Sequence, residues 1–272
     1  MASSLREALE EAIRYYTEYG YNNGEKLSLW MRRLHAVARQ DSPSPDELQE
    51  RMRRAMDTYF RRATSYSATR RRHPGIHRFT IDQIVPRLRP ELSLRIQASA
   101  SLIKRNREQA IEKTLQRFEG WATSVPPGGS RVVDKGDVKK EVAKALRQLS
   151  YEERRVAIDQ GAKLISNINS VIADQCGAIS GMWRSHWRRP GYNYRPDHKE
   201  RDMKFYAIRN SWAMEKGYLN KGAGYMDEMT AAAEEPFCEC YVVYVYNLRD
   251  LPAEMLTAKG RQALEQTRVK AI

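Results

Sequence analysis

Cys238 and Cys240 stand one residue apart near the end of a 272-residue chain, with His186 and His198 upstream in the same third. Two thiols and two imidazoles are a donor set that suits a tetrahedral zinc ion. On a strand, residues two apart point to one face, so both thiols would face the same way. A metal bound there lets a small module with little core hold its shape. The alternative is that both thiols are small buried hydrophobes on the inner face of the strand. The C-x-C spacing is shorter than the usual C-x₂₋₄-C knuckle. Cys176 falls on a long helix and reads as core.

A second cluster is Asp197-His198-Lys199-Glu200-Arg201-Asp202. A histidine among carboxylates suits a general base or a metal-dependent nuclease. The simpler reading is a helix start, in which Asp197 caps the backbone and Arg201 pairs with a carboxylate. The chain shows neither a second acid cluster nor a Gly-rich phosphate loop, so the sequence offers no complete catalytic set. The aromatic set Trp183, Trp187, Tyr192, Tyr194, Phe205, Tyr206 and Trp212 fits the core of a C-terminal module or an interface.

Charge supplies the third signal. The net charge is +13, and residues 1–150 carry 29 Lys/Arg against 18 Asp/Glu. The positive field therefore belongs to the first half. It is densest in Arg51, Arg53, Arg54, Arg61, Arg62, Arg70, Arg71 and Arg72, where the only acid is Asp57. Tyr59, Phe60 and Tyr66 are interleaved. Arginine with aromatics suits contact with DNA or with an acidic protein surface; a solvated helix face is the plainer use.

These groups must be positioned by a mainly α chain. A hydrophobic fraction of 41% with 30% charged residues favours long amphipathic helices followed by a small α+β C-terminal module with a short β element. Leu5, Leu9, Ala12 and Ile13 begin an amphipathic helix. Ser44-Pro45-Asp46-Glu47 is a capping box that opens a helix to about Ala63, with Met52, Met56 and Phe60 on its apolar stripe. Thr80-x-x-Gln83 caps a short helix ended by Pro86. Pro90 starts the longest helix, to about Trp121, and Asp137 caps another. Ser150-x-x-Glu153 reads as a second capping box, opening a helix to about Gly181 with Leu164, Ile168 and Ile172 on one face. Asp202 to Lys216 has helical spacing, Cys240 to Tyr246 is the one clear strand, and a last helix starts near Ala253 or Thr257. The expected regions are 1–125, a basic helical part; 126–185, helical after a Pro/Gly loop; and 186–272, the compact module with the C-x-C strand. No apolar run reaches the ~20 residues a membrane span needs. Three cysteines and no secretory h-region predict a protein made in a reducing cytoplasm.

Several stretches resemble a known group. They are Ile111 to Thr123, Glu153 to Gly161, Ser185-His186-Trp187-Arg188, His198 to Asp202, Asn210-Ser211-Trp212-Ala213, Gly224-Tyr225-x-Asp227-Glu228 and Pro236-Phe237-Cys238-x-Cys240. Together, over roughly residues 90–260, they resemble tailed-bacteriophage head-morphogenesis or Mu F-like minor head proteins. The resemblance implies a helical N-terminal part and a compact C-terminal module ending in a Pro-x-x-Cys-x-Cys-like element. It also implies a structural virion protein at the portal vertex or inside the head, made in the bacterial host. Implied roles are head assembly, DNA packaging or DNA delivery. Implied partners are the portal, capsid or head-tail connector, contacted by several copies in a ring, and packaged DNA. Where that element usually carries Arg between the cysteines, this chain has Glu239. Readings from other classes are a metal-dependent nuclease using His186, His198, Asp202, Cys238 and Cys240, and a DNA-binding regulator.

Overall fold

The computed structural model describes residues 4–269. The elements are α1 (Leu5–Tyr19), α2 (Gly24–Asp41), α3 (Pro45–Ala63), α4 (Tyr66–Arg72), α5 (Arg78–Ile84), α6 (Arg89–Ser124), α7 (Lys135–Val142), α8 (Lys144–Gln175), β1 (Ser180–Arg184), α9 (Pro196–Glu200), β2 (Phe205–Ala207), α10 (Trp212–Glu215), β3 (Tyr241–Val245) and α11 (Ala258–Val269). The protein is mainly helical with one small antiparallel sheet, ordered β2-β1-β3. That is the expected fold class.

Two compact units form, and they interleave along the chain. The first takes the segments up to Met52 and Gln97–Val156; the second takes Arg53–Ile96 and everything from Ala157 onward. The sequence boundaries at 125 and 185 are therefore corrected. The long helices α3, α6 and α8 each contribute residues to both units, so no break in composition marks the division.

The first unit is built on the amphipathic start. Leu5, Leu9, Ile13 and Tyr16 of α1 are buried with Leu34 of α2 and with Leu115 and Phe118 of α6. Burial of side chains of this size is worth about 1.5–3 kcal/mol each. The end of α1 leaves backbone carbonyls without helical partners. The Pro/Gly loop supplies donors: Ser130 N–H to Thr17 O at 2.9 Å and Gly128 N–H to Tyr19 O at 3.0 Å. This close approach needs Gly20, whose φ is +69° and whose absent Cβ would lie 1.8 Å from the Pro126 carbonyl oxygen.

In the second unit Met56 and Phe60 of α3 meet Ile81 and Ile84 of α5 and Leu164, Ile168 and Ile172 of α8. The capping box at Ser44 forms as expected, with the Ser44 N–H 2.7 Å from Glu47 Oε2 and the Glu47 N–H 3.2 Å from Ser44 Oγ. The second box does not form. Helix α8 starts at Lys144, runs through Ser150 and stops at Gln175. Glu153 instead binds the guanidinium groups of Arg51 and Arg107, so it has no freedom to cap. Likewise Asp134, not Asp137, caps α7, accepting from the N–H groups of Gly136 and Asp137.

The sheet is where local patterns mislead most. Phe205 to Ala207 forms a strand rather than the first turn of a helix, pairing Ser180 with Ala207 and Met182 with Phe205. On its other edge β1 pairs with β3, Gly181 opposite Tyr244 and Trp183 opposite Val242. Ladder bonds to partners more than 20 residues away override the helical spacing of Phe205, Ile208 and Trp212.

His73, which follows α4, pins this unit internally. Its Nε2 lies 2.9 Å from Asn169 Oδ1 and its Nδ1 2.5 Å from the Tyr246 hydroxyl. A neutral ring satisfies both contacts, donating to Asn169 and accepting from Tyr246. The ring stacks on Tyr244 with an interplanar angle of 2°. Burial, reinforced by the charge of Arg72, lowers its pKa from 6.5 to about 4.

Two outcomes follow. The Gly20→Ala variant loses about 2 kcal/mol or more in urea unfolding, because both its φ and its space are wrong for a side chain. The His73 ring stays neutral in the fold while the unfolded chain takes up a proton below pH 6.5. Its stabilisation is thus full above pH 6.5 and is lost as pH falls toward 4, by up to about 3 kcal/mol. Unfolding free energies measured from pH 7.5 to 4 fall less steeply for His73→Gln than for the wild-type chain.

Candidate metal centre

Three side chains from two separate segments converge in the second unit. His198 is carried by α9, which Pro196 opens at the first helical turn. Cys238 and Cys240 lie in the loop that enters β3, outside the strand on which the sequence placed the C-x-C element. All three are at least 96% buried. His198 Nδ1 is 3.5 Å from the sulfur of Cys238 and 3.5 Å from that of Cys240. The three donor atoms lie within 4.8 Å of one another. In a tetrahedron with Zn–S near 2.3 Å and Zn–N near 2.05 Å, the N···S edge is about 3.6 Å. The spacing already present is that of a metal-binding group, and the set can hold a metal ion.

The surroundings favour anionic sulfur. The Cys240 thiol donates to Cys238, lowering the pKa of Cys238; the same bond, with burial, raises that of Cys240. Backbone N–H groups of Cys240 and Ala233 also favour the Cys238 thiolate. The Ser185 hydroxyl and the Trp183 indole act in the same sense on Cys240. Yet Ser185 Oγ and Trp183 Nε1 are buried without a hydrogen bond of normal geometry. A thiolate is the acceptor that such donors lack. On the far side of the imidazole, His198 Nε2 is 3.6 Å from Glu235 Oε2 and 3.7 Å from Asp197 Oδ2. Neither distance is a hydrogen bond, and His198 Nε2 and Glu235 Oε2 are both buried without one; a small approach of that carboxylate would fix the tautomer of a ligating histidine.

The cysteine loop is held by its backbone. The Tyr192 hydroxyl donates to Phe237 O and accepts from the Glu239 N–H; Arg195 donates to Pro236 O, and Asp159 accepts from the Phe237 N–H. These contacts surround Phe237, which has φ +62°; Ala233, earlier in the loop, has φ +63°. Such left-handed backbone costs side-chain-bearing residues about 1 kcal/mol or more each. Glu239, between the cysteines, pairs with Arg189 at 2.6 Å.

Of the four residues in the sequence set, His198, Cys238 and Cys240 come together and His186 does not. His186 stands outside the group, with its ring against Tyr192 and Tyr241, at centroid distances of 6.5 and 5.5 Å. Asp202, a candidate acid of the nuclease reading, is occupied in holding the chain beyond β1. It accepts from the Ser185 N–H and the Trp187 indole, both at 2.9 Å, and pairs with Arg188 at 3.1 Å. Burial alone would raise its pKa; these donors outweigh burial and keep it below the usual value. Arg201 pairs with Asp197 at 2.7 Å as the helix-start reading expects, but Asp197 does not cap the backbone: it lies inside α9, whose N-cap is Arg195 with no side-chain capping bond. Sequence reasoning missed Glu235, although it immediately precedes Pro236. It also missed the roles of Tyr192 and Asp159, which no local pattern reveals.

The basic tract divides. Arg72 lies 3.3 Å from the centre of the Tyr241 ring, and burial lowers its pKa to about 10. It is half-buried against that ring and is removed from the proposed contact surface. Arg51 pairs with Glu153 at 3.2 Å and Arg61 with Asp57 at 3.2 Å; Arg53 and Arg54 also have partners within the chain. Arg62, Arg70 and Arg71 are exposed. Of the aromatic set, Trp183 and Tyr206 are core, whereas Trp212 is 39% exposed.

No family model, curated protein or solved structure matches this chain.

Cobalt titration checks the group directly. One Co²⁺ per chain binds with thiolate charge-transfer absorption and tetrahedral d–d bands. His198→Ala, Cys238→Ser and Cys240→Ser each lose that spectrum, while His186→Ala keeps it.

Proposed function

We propose that this chain is a structural component of a tailed-phage virion, a minor head or portal-associated protein acting in head assembly, DNA packaging or DNA delivery. In this reading His198, Cys238 and Cys240 hold a zinc ion that stiffens the C-terminal module. One observation carries the non-enzymatic part: all three ligating side chains are buried, and their neighbours are committed to holding the loop. Three protein ligands leave a fourth position of the kind a catalytic zinc uses, so the support is burial alone: each of the three residues is at most 4% exposed. Asp202, the acid of the nuclease reading, is held by three donors, the Ser185 N–H, the Trp187 indole and Arg188, rather than poised as a base. The phage assignment itself rests on the motif resemblance from Ile111 to Cys240. The excess of exposed arginine in the first half supports contact with DNA or with acidic partner proteins.

Peptide mass spectrometry of purified particles from the phage that encodes the chain tests this. The chain is expected in the particle at few copies relative to the major capsid protein, with one zinc per chain. Plasmid incubated with the zinc-loaded protein, with and without Mg²⁺, remains supercoiled. DNA cleavage that disappears in His198→Ala would overturn the reading in favour of a nuclease.

A further inference from the structure

The first unit carries a groove that neither the metal centre nor the virion reading uses. Its larger part encloses about 560 Å³ and is lined by the start of α1, the end of α2, the middle of α6, and α7 with the start of α8. Its floor is apolar: Leu5, Ala38, Ile111, Ala143, Leu146 and Leu149. A second part of about 350 Å³ continues it, sharing Ala38, Ser42, Arg107 and Ile111 and adding Leu48.

The rim is positive. Arg6, Arg107, Lys139, Lys140 and Arg147 line the larger part, against Asp41 alone. Asp41 faces the start of α1, accepting from the Leu5 N–H at 3.3 Å. Lys140 pairs with Asp137 at 3.0 Å, and the other acids around the rim are shared out thinly. Glu10 serves both Arg6 and Lys139, and Glu153 serves both Arg51 and Arg107. Arg147 is turned onto the Lys140 carbonyl, so it has no carboxylate there. The second part adds Arg39 and Lys104 against Glu108. An apolar trough between cations complements a segment that is apolar on one face and acidic on its flanks.

We propose that this groove docks an acidic amphipathic helix of a partner protein, with apolar anchors at i, i+3 or i+4, and i+7 on the floor and Asp or Glu against the rim. Helix-in-groove recognition uses this spacing of anchors. Duplex DNA would satisfy the rim but leaves the apolar floor unused. A second copy of this chain is disfavoured by its own charge of +13. The inference is independent of the phage assignment.

Fluorescence anisotropy on the full chain provides the test. The probe is a labelled 16-residue peptide with Leu at i, i+4, i+7 and i+11 and Glu and Ala elsewhere. A scrambled peptide of identical composition and a labelled 20-base-pair duplex serve as comparisons. The ordered peptide is expected to bind in the micromolar range, at least ten-fold more tightly than the scrambled one. Lys140→Glu with Arg147→Glu, both at exposed positions, weakens it at least ten-fold, and Leu146→Gln does the same. Each variant keeps its cobalt spectrum and its melting temperature within a few degrees. Ile111→Ala, a milder change in the floor, weakens binding less than Leu146→Gln and guards against a misfolded variant. Equal binding of ordered and scrambled peptides, no binding of either, or loss of duplex binding alone in the charge variants overturns the proposal.

Discussion

Taking two thiols and an imidazole out of water, and holding all three within hydrogen-bonding range of one another, is the constraint on which the C-terminal half turns. Neutral thiols make poor hydrogen-bond partners, and a buried imidazole without acceptors is costly. The groups around the sulfurs favour the anionic form over the neutral thiol. Donors from the loop backbone, from Ser185 and from Trp183 all favour negative sulfur. Carboxylates stand behind the distal ring nitrogen. The left-handed residues Ala233 and Phe237 then follow as the backbone needed to bring Cys238 under His198. The Tyr192 hydroxyl and the Arg195 guanidinium follow as the clamps that keep it there.

The three-stranded sheet has the same logic. Its strands come from segments near residues 180, 205 and 241, and its longest have five residues. So small a sheet cannot stabilise itself by pairing alone. Trp183 is fully buried at its centre and meets His198 edge-on at 5.5 Å. The metal-binding group and the sheet core therefore share a wall, and disturbing either is felt by the other.

What the sequence revealed follows from how far each signal reaches. The helices α1, α3 and α6 were legible because caps and apolar stripes act within a few residues. The membership of Cys238, Cys240 and His198 was legible because only a few residue types bind soft metals. The exclusion of His186 was not, since it depends on where two tyrosines place its ring. Glu153 shows why a local rule failed: two guanidinium groups compete for the same carboxylate that a capping box requires. Strands β1 and β2 were hidden for a related reason. Ser180 to Arg184 contains a glycine and no β-branched residue, and its strand character comes from partners on both edges. Gly181 is there because Val242 crosses it so closely that a Cβ would lie 2.6 Å from Val242 Cγ1. Arg72 likewise reads as one more surface cation until Tyr241, far along the chain, is placed beneath it.

The interleaving of the two units has a consequence for how the chain emerges during synthesis. The first unit cannot close until Val156 has been made, and by then residues 53–96 have already emerged without the segment they pack against. Met56, Phe60, Ile81 and Ile84 must wait for Leu164, Ile168 and Ile172. Their apolar side chains stay uncovered for the time it takes to translate about a hundred residues, roughly 5–20 s. In that window the charge of residues 51–72, eight arginines against one acid, opposes self-association of the uncovered apolar segment. The same clustered charge that suggests a partner in the finished protein thus guards the unfinished one against aggregation.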